Sequence, residues 1–162
     1  MRQVLAMSFL LLSAPHVNAA EVAPPRSELV YEAIVDIAPS VSLGQGPLGE
    51  RRMVPITGGE FHGAGLSGKV LPGGADRQLI RSDGVRQLDA IYEMQTDDGV
   101  IISVRNEVLV RGEGADRYAF SKITLNAPSG RYEWLNQSLF IGTLSSLRPA
   151  RNAVSIKAWR VY

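Results

Sequence analysis

The sequence has 162 residues, of which 45% are hydrophobic and 20% are charged, with 16 glycines, 9 prolines and no cysteine. This composition is typical of one globular domain, and it excludes an intrinsically disordered chain, a collagen and a coiled-coil rod. Since there is no cysteine, disulfide bonds, thiolate metal sites and cysteine nucleophiles are also excluded.

The first residues have the pattern of a secretory signal peptide. Arg2 supplies the positive start, an apolar segment follows over residues 4–12, and Val17-Asn18-Ala19 supplies the short residues of a cleavage site. We predict cleavage after Ala19 and a periplasmic or secreted product. Removing residues 1–19 takes away one of the 17 basic residues and none of the 16 acidic ones, which leaves a neutral chain. A neutral chain favours no nucleic-acid partner, and no basic amphipathic stretch favours stable membrane anchoring.

The first half of the exported chain shows the two-residue apolar period of β-strands. After a flexible lead-in over residues 20–28, a strand is predicted over residues 29–37. A loop is predicted over residues 39–50, and a short strand over residues 51–56. Because Pro55 interrupts it, we expect that short strand at an edge or a bulge.

The rest of the chain also reads as strands and turns. Residues 57–76 contain seven glycines, which predict a sharply bent strand with close backbone approach. Asp98-Gly99 is a strong hairpin signal. Further strands are predicted over residues 85–96, 100–111, 118–125, 132–144 and 154–162. This regular spacing indicates one all-β domain over residues 29–162, and we expect a single antiparallel up-and-down barrel because closure removes exposed edges.

Five polar or aromatic residues are candidates for a ligand site. Asn106 interrupts a valine- and isoleucine-rich strand face, where a buried amide either binds the backbone or faces a ligand. Asp76 is a carboxylate in a predicted tight turn, where it either caps the turn or reacts. Tyr92 lies on an apolar strand face that would line the interior. Trp134 and Asn136 are predicted to share one strand face, which lines a pocket or belongs to the core.

His62 is the one histidine that remains after export. No Gly-x-Ser-x-Gly motif accompanies it, so a serine hydrolase is disfavoured. With Glu60 it offers two ligands where a metal usually needs three protein ligands, so no metal is predicted. No cofactor is predicted either, because the glycine pairs precede no GK[ST] motif and no helix.

Six motifs follow one another in the exported chain: Pro55-Ile56-Thr57-Gly58-Gly59-Glu60-Phe61, Gly68-Lys69-Val70-Leu71-Pro72-Gly73-Gly74-Ala75-Asp76, Leu88-Asp89-Ala90, Thr96-Asp97-Asp98-Gly99, Val104-Arg105-Asn106 and Tyr132-Glu133-Trp134-Leu135-Asn136. In order and spacing they resemble the domain of unknown function 3237, also called uncharacterised protein family 0311. The resemblance covers residues 29–162.

The resemblance implies a β-barrel similar to the allene oxide cyclase and lipocalin-like barrels, with an interior cavity. Most members of the family have no assigned activity. Some fungal relatives are linked to a cyclisation that forms an ether ring by adding a hydroxyl group across an alkene. The chain departs from the usual family text at Arg77, Ile91 and Glu107, and we expect these changes to alter the cavity lining.

Three functions remain open. The first is an exported barrel that binds a small, largely apolar molecule, oriented by Asp76, Asn106, Trp134 and Asn136. The second is a cofactor-free cyclase or isomerase in which Asp76 or His62 acts as acid or base and Asn106 stabilises charge. The third is a structural or interaction barrel with a filled interior, which assembles as a homo-oligomer. A carboxylate or imidazole buried in an apolar cavity would favour the enzyme.

Overall fold

The computed structural model describes residues 23–162, and the predicted signal peptide lies outside them. Strands dominate these residues, with two short 3₁₀ helices, Gly114–Asp116 and Glu133–Gln137. No helix in this part of the chain is long and apolar enough to cross a membrane. The strands are β1 (Ser27–Ile37), β2 (Val41–Gly46), β3 (Gly49–Gly63), β4 (Gly68–Val70), β5 (Ala75–Ile80), β6 (Arg86–Thr96), β7 (Ile101–Arg111), β8 (Tyr118–Asn126), β9 (Leu139–Ser146) and β10 (Ala153–Val161).

Antiparallel hydrogen bonding closes these strands into a barrel with eight positions. The ring runs β1-β10-β9-β8-β7-β6, and β3 pairs back onto β1. The short strands β4 and β5 together fill the position between β6 and β3. β2 pairs with β3 alone and forms a hairpin outside the ring. The predicted all-β antiparallel barrel is confirmed.

A two-residue alternation decides which side chains face the interior. On β7, every second residue from Ile102 to Val110 is buried, while the residues between them are half-buried or exposed. β6 and β8 alternate in the same way. Burying one large apolar side chain contributes about 1.5–3 kcal/mol, so this interior is the main source of stability. Its largest buried side chains include Tyr31, Phe61, Leu66, Tyr92, Met94 and Ile102.

The long strand β3 changes its pairing partners halfway along. Its first half pairs with β2 and β5, and its second half pairs with β1 and β4. The change occurs near Gly59, where a Cβ atom would lie 2.0 Å from the carbonyl oxygen of Ile34. Gly59 also has a φ of 137°, a conformation that suits glycine. The predicted close backbone approach is therefore present, but the single bent strand predicted over residues 57–76 is wrong, because these residues form the end of β3, all of β4 and the start of β5.

The predicted loop over residues 39–50 is wrong, because β2 and the start of β3 form a hairpin there. The side chains of β2 are almost all exposed, so no apolar alternation marks the strand. The short strand predicted over residues 51–56 is the first half of the longer β3. β5 was not predicted, since its residues are mostly half-buried and show no alternation.

The strand predicted over residues 132–144 is wrong in its first part. Residues 133–137 form a 3₁₀ helix at one end of the barrel, and its Leu135 is buried in the core. The Tyr132 hydroxyl donates a hydrogen bond to Asp98 Oδ1 at 3.0 Å. The Asn136 amide bonds the backbone N–H and C=O of Ala127 at 2.9 and 2.8 Å. These contacts hold residues 133–137 against one end of the barrel, and we call this end the closed end.

Candidate functional site

The barrel interior is not completely filled by side chains. A cavity of about 240 Å³ lies inside the ring and reaches the end opposite the closed end. It is slightly smaller than the usual site for a drug-sized ligand, which indicates a small occupant. Most of its wall is apolar and includes Val35, Ile56, Leu88, Val108 and Ile156.

Two polar side chains face this cavity from one row of paired residues. Asp76 on β5 lies opposite Ala90 on β6, and Ala90 lies opposite Asn106 on β7. Since neighbouring strands are about 4.8 Å apart, the Cα atoms of Asp76 and Asn106 are roughly 10 Å apart. The small Ala90 between them leaves room for a ligand group that contacts both side chains.

Asp76 is mostly buried, and one of its oxygens is unused. The Gln78 amide Nε2 donates a hydrogen bond to Asp76 Oδ2 at 2.6 Å. Oδ1 is buried and has no hydrogen-bond partner among the described residues. Burial raises the pKa of Asp76, and the hydrogen bond from Gln78 and the nearby backbone N–H of Asp89 offset part of that effect. Asp76 is therefore a stronger base than an exposed aspartate, with one oxygen free to exchange a proton.

Asn106 and Tyr92 supply neutral polar groups to the same cavity. Asn106 is 1% exposed, and its Oδ1 has no hydrogen-bond partner within residues 23–162. The buried Tyr92 hydroxyl has none there either. Burial raises the pKa of Tyr92, so the phenol stays protonated and is able to donate a hydrogen bond. Unpaired buried polar groups are costly, and a bound ligand would satisfy them.

The mouth of the cavity is basic. Arg86 begins β6, Arg117 precedes β8, and Arg148 lies in the loop between β9 and β10; all three line the cavity. The Arg117 side chain donates a hydrogen bond to the carbonyl oxygen of Leu144 at 2.7 Å. Neither these arginines nor Gln78 were predicted from the sequence. The spacing of Gln78, two residues after Asp76, could have placed it on the same strand face.

Two of the predicted site residues lie at the closed end rather than in the cavity. Trp134 is half-buried there, with its ring centroid 6.2 Å from that of Phe140 and the Arg160 guanidinium 5.6 Å from its centroid. Asn136 is exposed, and its side-chain amide forms hydrogen bonds with the backbone of Ala127. They do not share a strand face with Tyr132, because the segment is a 3₁₀ helix.

His62 is also remote from the cavity. It is exposed near the end of β3, opposite Glu32 on β1, and it does not line the cavity. Its neighbour Glu60 binds Arg151 instead, at 2.6 Å. Among residues 23–162, no three His, Asp or Glu side chains are arranged to hold a metal ion.

The positions that depart from the family text face outward, contrary to our expectation. Arg77 alternates with the inward-facing Asp76 and Gln78, and Ile91 is 47% exposed. Glu107 lies 3.3 Å from Lys122 and 3.5 Å from Arg105 on the outer surface. These changes therefore leave the lining of the cavity intact.

A larger depression of about 720 Å³ lies on the outer surface, between the β2–β3 turn and strands β5 to β7. It is wide open to solvent and contains the exposed Leu48. Asp89 and Glu107 beside it are already paired with Arg105. The interior cavity, with its unpaired buried groups, is therefore the better candidate site.

Comparison with known proteins identifies several relatives. A family model described as "Protein of unknown function (DUF3237)" matches residues 25–161. A UPF0311 protein of Rhodopseudomonas palustris strain TIE-1 is 37% identical over 131 residues, which cover 72% of this chain and 86% of that protein. The crystal structure of a conserved protein of unknown function from Rhodopseudomonas palustris superposes with a TM-score of 0.80 at 33% identity, covering 87% of this chain and 100% of that one.

One more distant relative carries the name of an activity. The hydroalkoxylation enzyme phnH of Penicillium herquei is 27% identical over 124 residues, which cover 76% of this chain and 77% of that protein.

Proposed function

The chain belongs to the DUF3237 (UPF0311) family of proteins of unknown function, and we propose that it is a cofactor-free enzyme that adds a hydroxyl group across an alkene of a small, largely apolar molecule. The single observation that carries the proposal is the buried position of Asp76. Its carboxyl group is mostly buried in the wall of an apolar cavity, with Oδ1 unpaired among the described residues. The name of the Penicillium herquei relative supports the same reaction class.

One carboxyl group is sufficient for this reaction. The Asp76 carboxylic acid donates its proton to one alkene carbon, and the hydroxyl oxygen forms a C–O bond to the other, more substituted carbon. The hydroxyl proton then passes to the Asp76 carboxylate, which regenerates the acid, so that the product is an isomer of the substrate. No electrons are gained or lost, and no cofactor is consumed. A raised pKa increases the fraction of Asp76 that is protonated and able to make the first proton transfer.

Asn106 and Tyr92 would position the substrate across the cavity. When the substrate is bound, Asn106 Oδ1 accepts a hydrogen bond from the substrate hydroxyl, whose oxygen gains positive charge as the C–O bond forms. The Tyr92 hydroxyl donates a second hydrogen bond deeper in the cavity. The apolar wall excludes water, which would otherwise compete for the alkene.

The test uses 2-alkenylphenols, which carry the hydroxyl and the alkene in one molecule. 2-Allylphenol cyclises to 2-methyl-2,3-dihydrobenzofuran, a product with a new stereocentre that chiral chromatography resolves. We expect the wild-type protein to give an excess of one enantiomer. Asp76→Asn should lower kcat about 100-fold or more. His62→Ala is the matched control and should keep full activity, because His62 is outside the cavity. The proposal would be contradicted if none of the 2-alkenylphenols gave an enantiomeric excess, or if the Asp76→Asn variant remained active.

A protein that only binds a ligand is the second candidate, and the neutral anchors Asn106 and Tyr92 favour it. Native and denaturing mass spectrometry of the purified protein detects a bound molecule, and chromatography of the released molecule, which resolves isomers of equal mass, separates the two functions. A co-purified molecule that is held equally by Asp76→Asn and is recovered unchanged after incubation supports a binding protein. A molecule converted by the wild type into an isomer supports the enzyme.

We also propose that the protein is exported. The charge, apolar segment and short residues of positions 1–19 support this assignment. Amino-terminal sequencing of the protein from a periplasmic extract should give Ala20 as the first residue. A mature protein that still begins at Met1 would overturn export.

A further inference from the structure

The arginines at the mouth form no salt bridge with the described residues, although Arg86 shares an outer depression with Glu113. Salt bridges within the described chain involve six other arginines: Arg52, Arg81, Arg105, Arg131, Arg151 and Arg160. Arg86, Arg117 and Arg148 form none with residues 23–162. Of the described residues, Asp76 is the one carboxylate in the lining of the cavity, and its Oδ2 is held by Gln78. The mouth thus carries an excess of positive charge.

The three arginines come together from separate parts of the chain. The first residue of β6, the segment before β8 and the β9–β10 loop all reach the same rim, because the antiparallel strands bring these ends together. Arg117 is held by one hydrogen bond to Leu144. An arginine has five N–H donors in a planar fork that matches an oxyanion, so most of the donors of Arg117 remain for a ligand.

The distance between the rim and the polar row sets the length of the ligand. Arg86 precedes Ala90 by four residues on β6, which is about 13 Å of strand. Ala90 lies in the row with Asp76 and Asn106. A molecule that reached both places would have a charged group at one end and its reacting group at the other.

We propose that the mouth binds the carboxylate of an amphipathic ligand, whose apolar body fills the cavity. The inference rests on the proposed function only where it places the reacting hydroxyl beside Asp76. A carboxylate satisfies the donors of Arg117 from one side, while Arg86 and Arg148, which are exposed at the rim, close over it. The substrate class is therefore a hydroxylated, unsaturated carboxylic acid.

The experiment measures the shift in Tm with a matched set of probes at low salt. The probes are 3-phenylpropanoate, the neutral 3-phenylpropan-1-ol and 3-phenylpropyl phosphate. We expect the acid to raise Tm and to bind at least 10-fold more tightly than the alcohol. The variant Arg86→Gln/Arg117→Gln/Arg148→Gln should lose that preference, and the single variant Arg148→Gln, at an exposed position, should weaken it. Arg77→Gln removes the same charge from the outer face and should keep the preference.

Several outcomes would overturn the inference. They are equal shifts with the acid and the alcohol, no shift with the acid, and a preference that survives in the triple variant. Tighter binding of the phosphate than of the acid would overturn the carboxylate assignment in favour of a phosphate monoester. If the acid preference persists in Asp76→Asn and no alkenylphenol is cyclised, the carboxylate site is supported and only the proposed reaction is contradicted. If an alkenylphenol is cyclised without any acid preference, the reaction is supported and the carboxylate site is contradicted.

Discussion

Replacing Asn106 by leucine tests whether its side-chain amide stabilises the fold or binds a ligand. If the amide held the barrel together, its removal would destabilise the fold. The structure gives the opposite expectation, because Asn106 is buried and its Oδ1 has no partner among the described residues. Its cross-strand neighbours are Ala90 and Ile123, which form no hydrogen bonds through their side chains. Leucine has a similar size and no polar atoms to satisfy.

The magnitude follows from the cost of an unsatisfied buried polar group, about 1–3 kcal/mol. Asn106→Leu should recover part of that cost, and each kcal/mol raises Tm by about 2–4 °C in a domain of this size. Chemical denaturation and thermal melts measure the gain, and binding of 2-allylphenol, whose hydroxyl group the proposed function places beside Asp76 and Asn106, measures the loss of ligand affinity in the same variant. The reciprocal control is Val108→Asn, which places an amide one inward position further along β7 and should lower the stability.

Two results would refute this reasoning. A destabilisation of Asn106→Leu by more than about 1 kcal/mol would mean that the amide has a partner in solution, such as a buried water. Unchanged ligand affinity with a higher Tm would mean that the amide is unpaired but does not contact the ligand.

Three further predictions follow from the same structure. Burial raises the pKa of Asp76, so the stabilising contribution of its protonated form is present below the ordinary aspartate pKa and is lost as the pH rises through the raised value. Asp76→Asn should therefore raise the free energy of unfolding by about 1–3 kcal/mol at pH 7 and by less at about pH 3.5. An equal gain at both pH values in denaturant titrations would contradict this prediction. Leu135→Ala should cost about 2–5 kcal/mol because it empties the closed end, whereas the exposed His62→Ala should change the unfolding free energy by less than about 0.5 kcal/mol. Gly142→Ala would place a Cβ 2.4 Å from Ser121 Oγ and 2.7 Å from Ile123 Cδ1, and it should cost about 1–3 kcal/mol, which the double variant with Ser121→Gly should reduce in thermal melts.

The strands that could be predicted from the sequence are those whose alternation reports burial. β6, β7 and β8 each place every second residue in the core, so the order of their apolar and polar residues shows a period of two. β2 and β5 were not predicted, because backbone pairing holds them in the sheet while their side chains show no such alternation. The 3₁₀ helix was not predicted, because the aromatic residues Tyr132 and Trp134 favour strands when their local propensity is considered alone. Its bonds to Asp98 and Ala127 come from the tertiary structure, where local propensity has no influence.

The candidate site was predicted only in part for a related reason. Tyr92 and Asn106 lie in the cavity because alternation gave the correct face of β6 and β7. Asp76 also lines the cavity, but the tight turn predicted for it is wrong, since it lies on β5. Trp134 and Asn136 lie elsewhere because their assumed strand is a helix. The arginines of the mouth come from the ends of three distant segments. Which chain ends meet at one rim depends on the closure of the whole barrel, and the order of the residues alone does not show it.

The closed end of the barrel has a kinetic consequence. The 3₁₀ helix of residues 133–137 lies at this end, opposite the arginine mouth, and none of its residues lines the cavity. On the proposed function, substrate and product would therefore share the passage at the arginine mouth. An amphipathic substrate would enter with its apolar end first, and its product, which keeps the same charge, would leave last from the arginines. Release, rather than bond formation, would then limit turnover for tightly held acids. Added salt would accelerate the steady-state rate at saturating substrate while lowering kcat/KM, because it weakens capture and retention together.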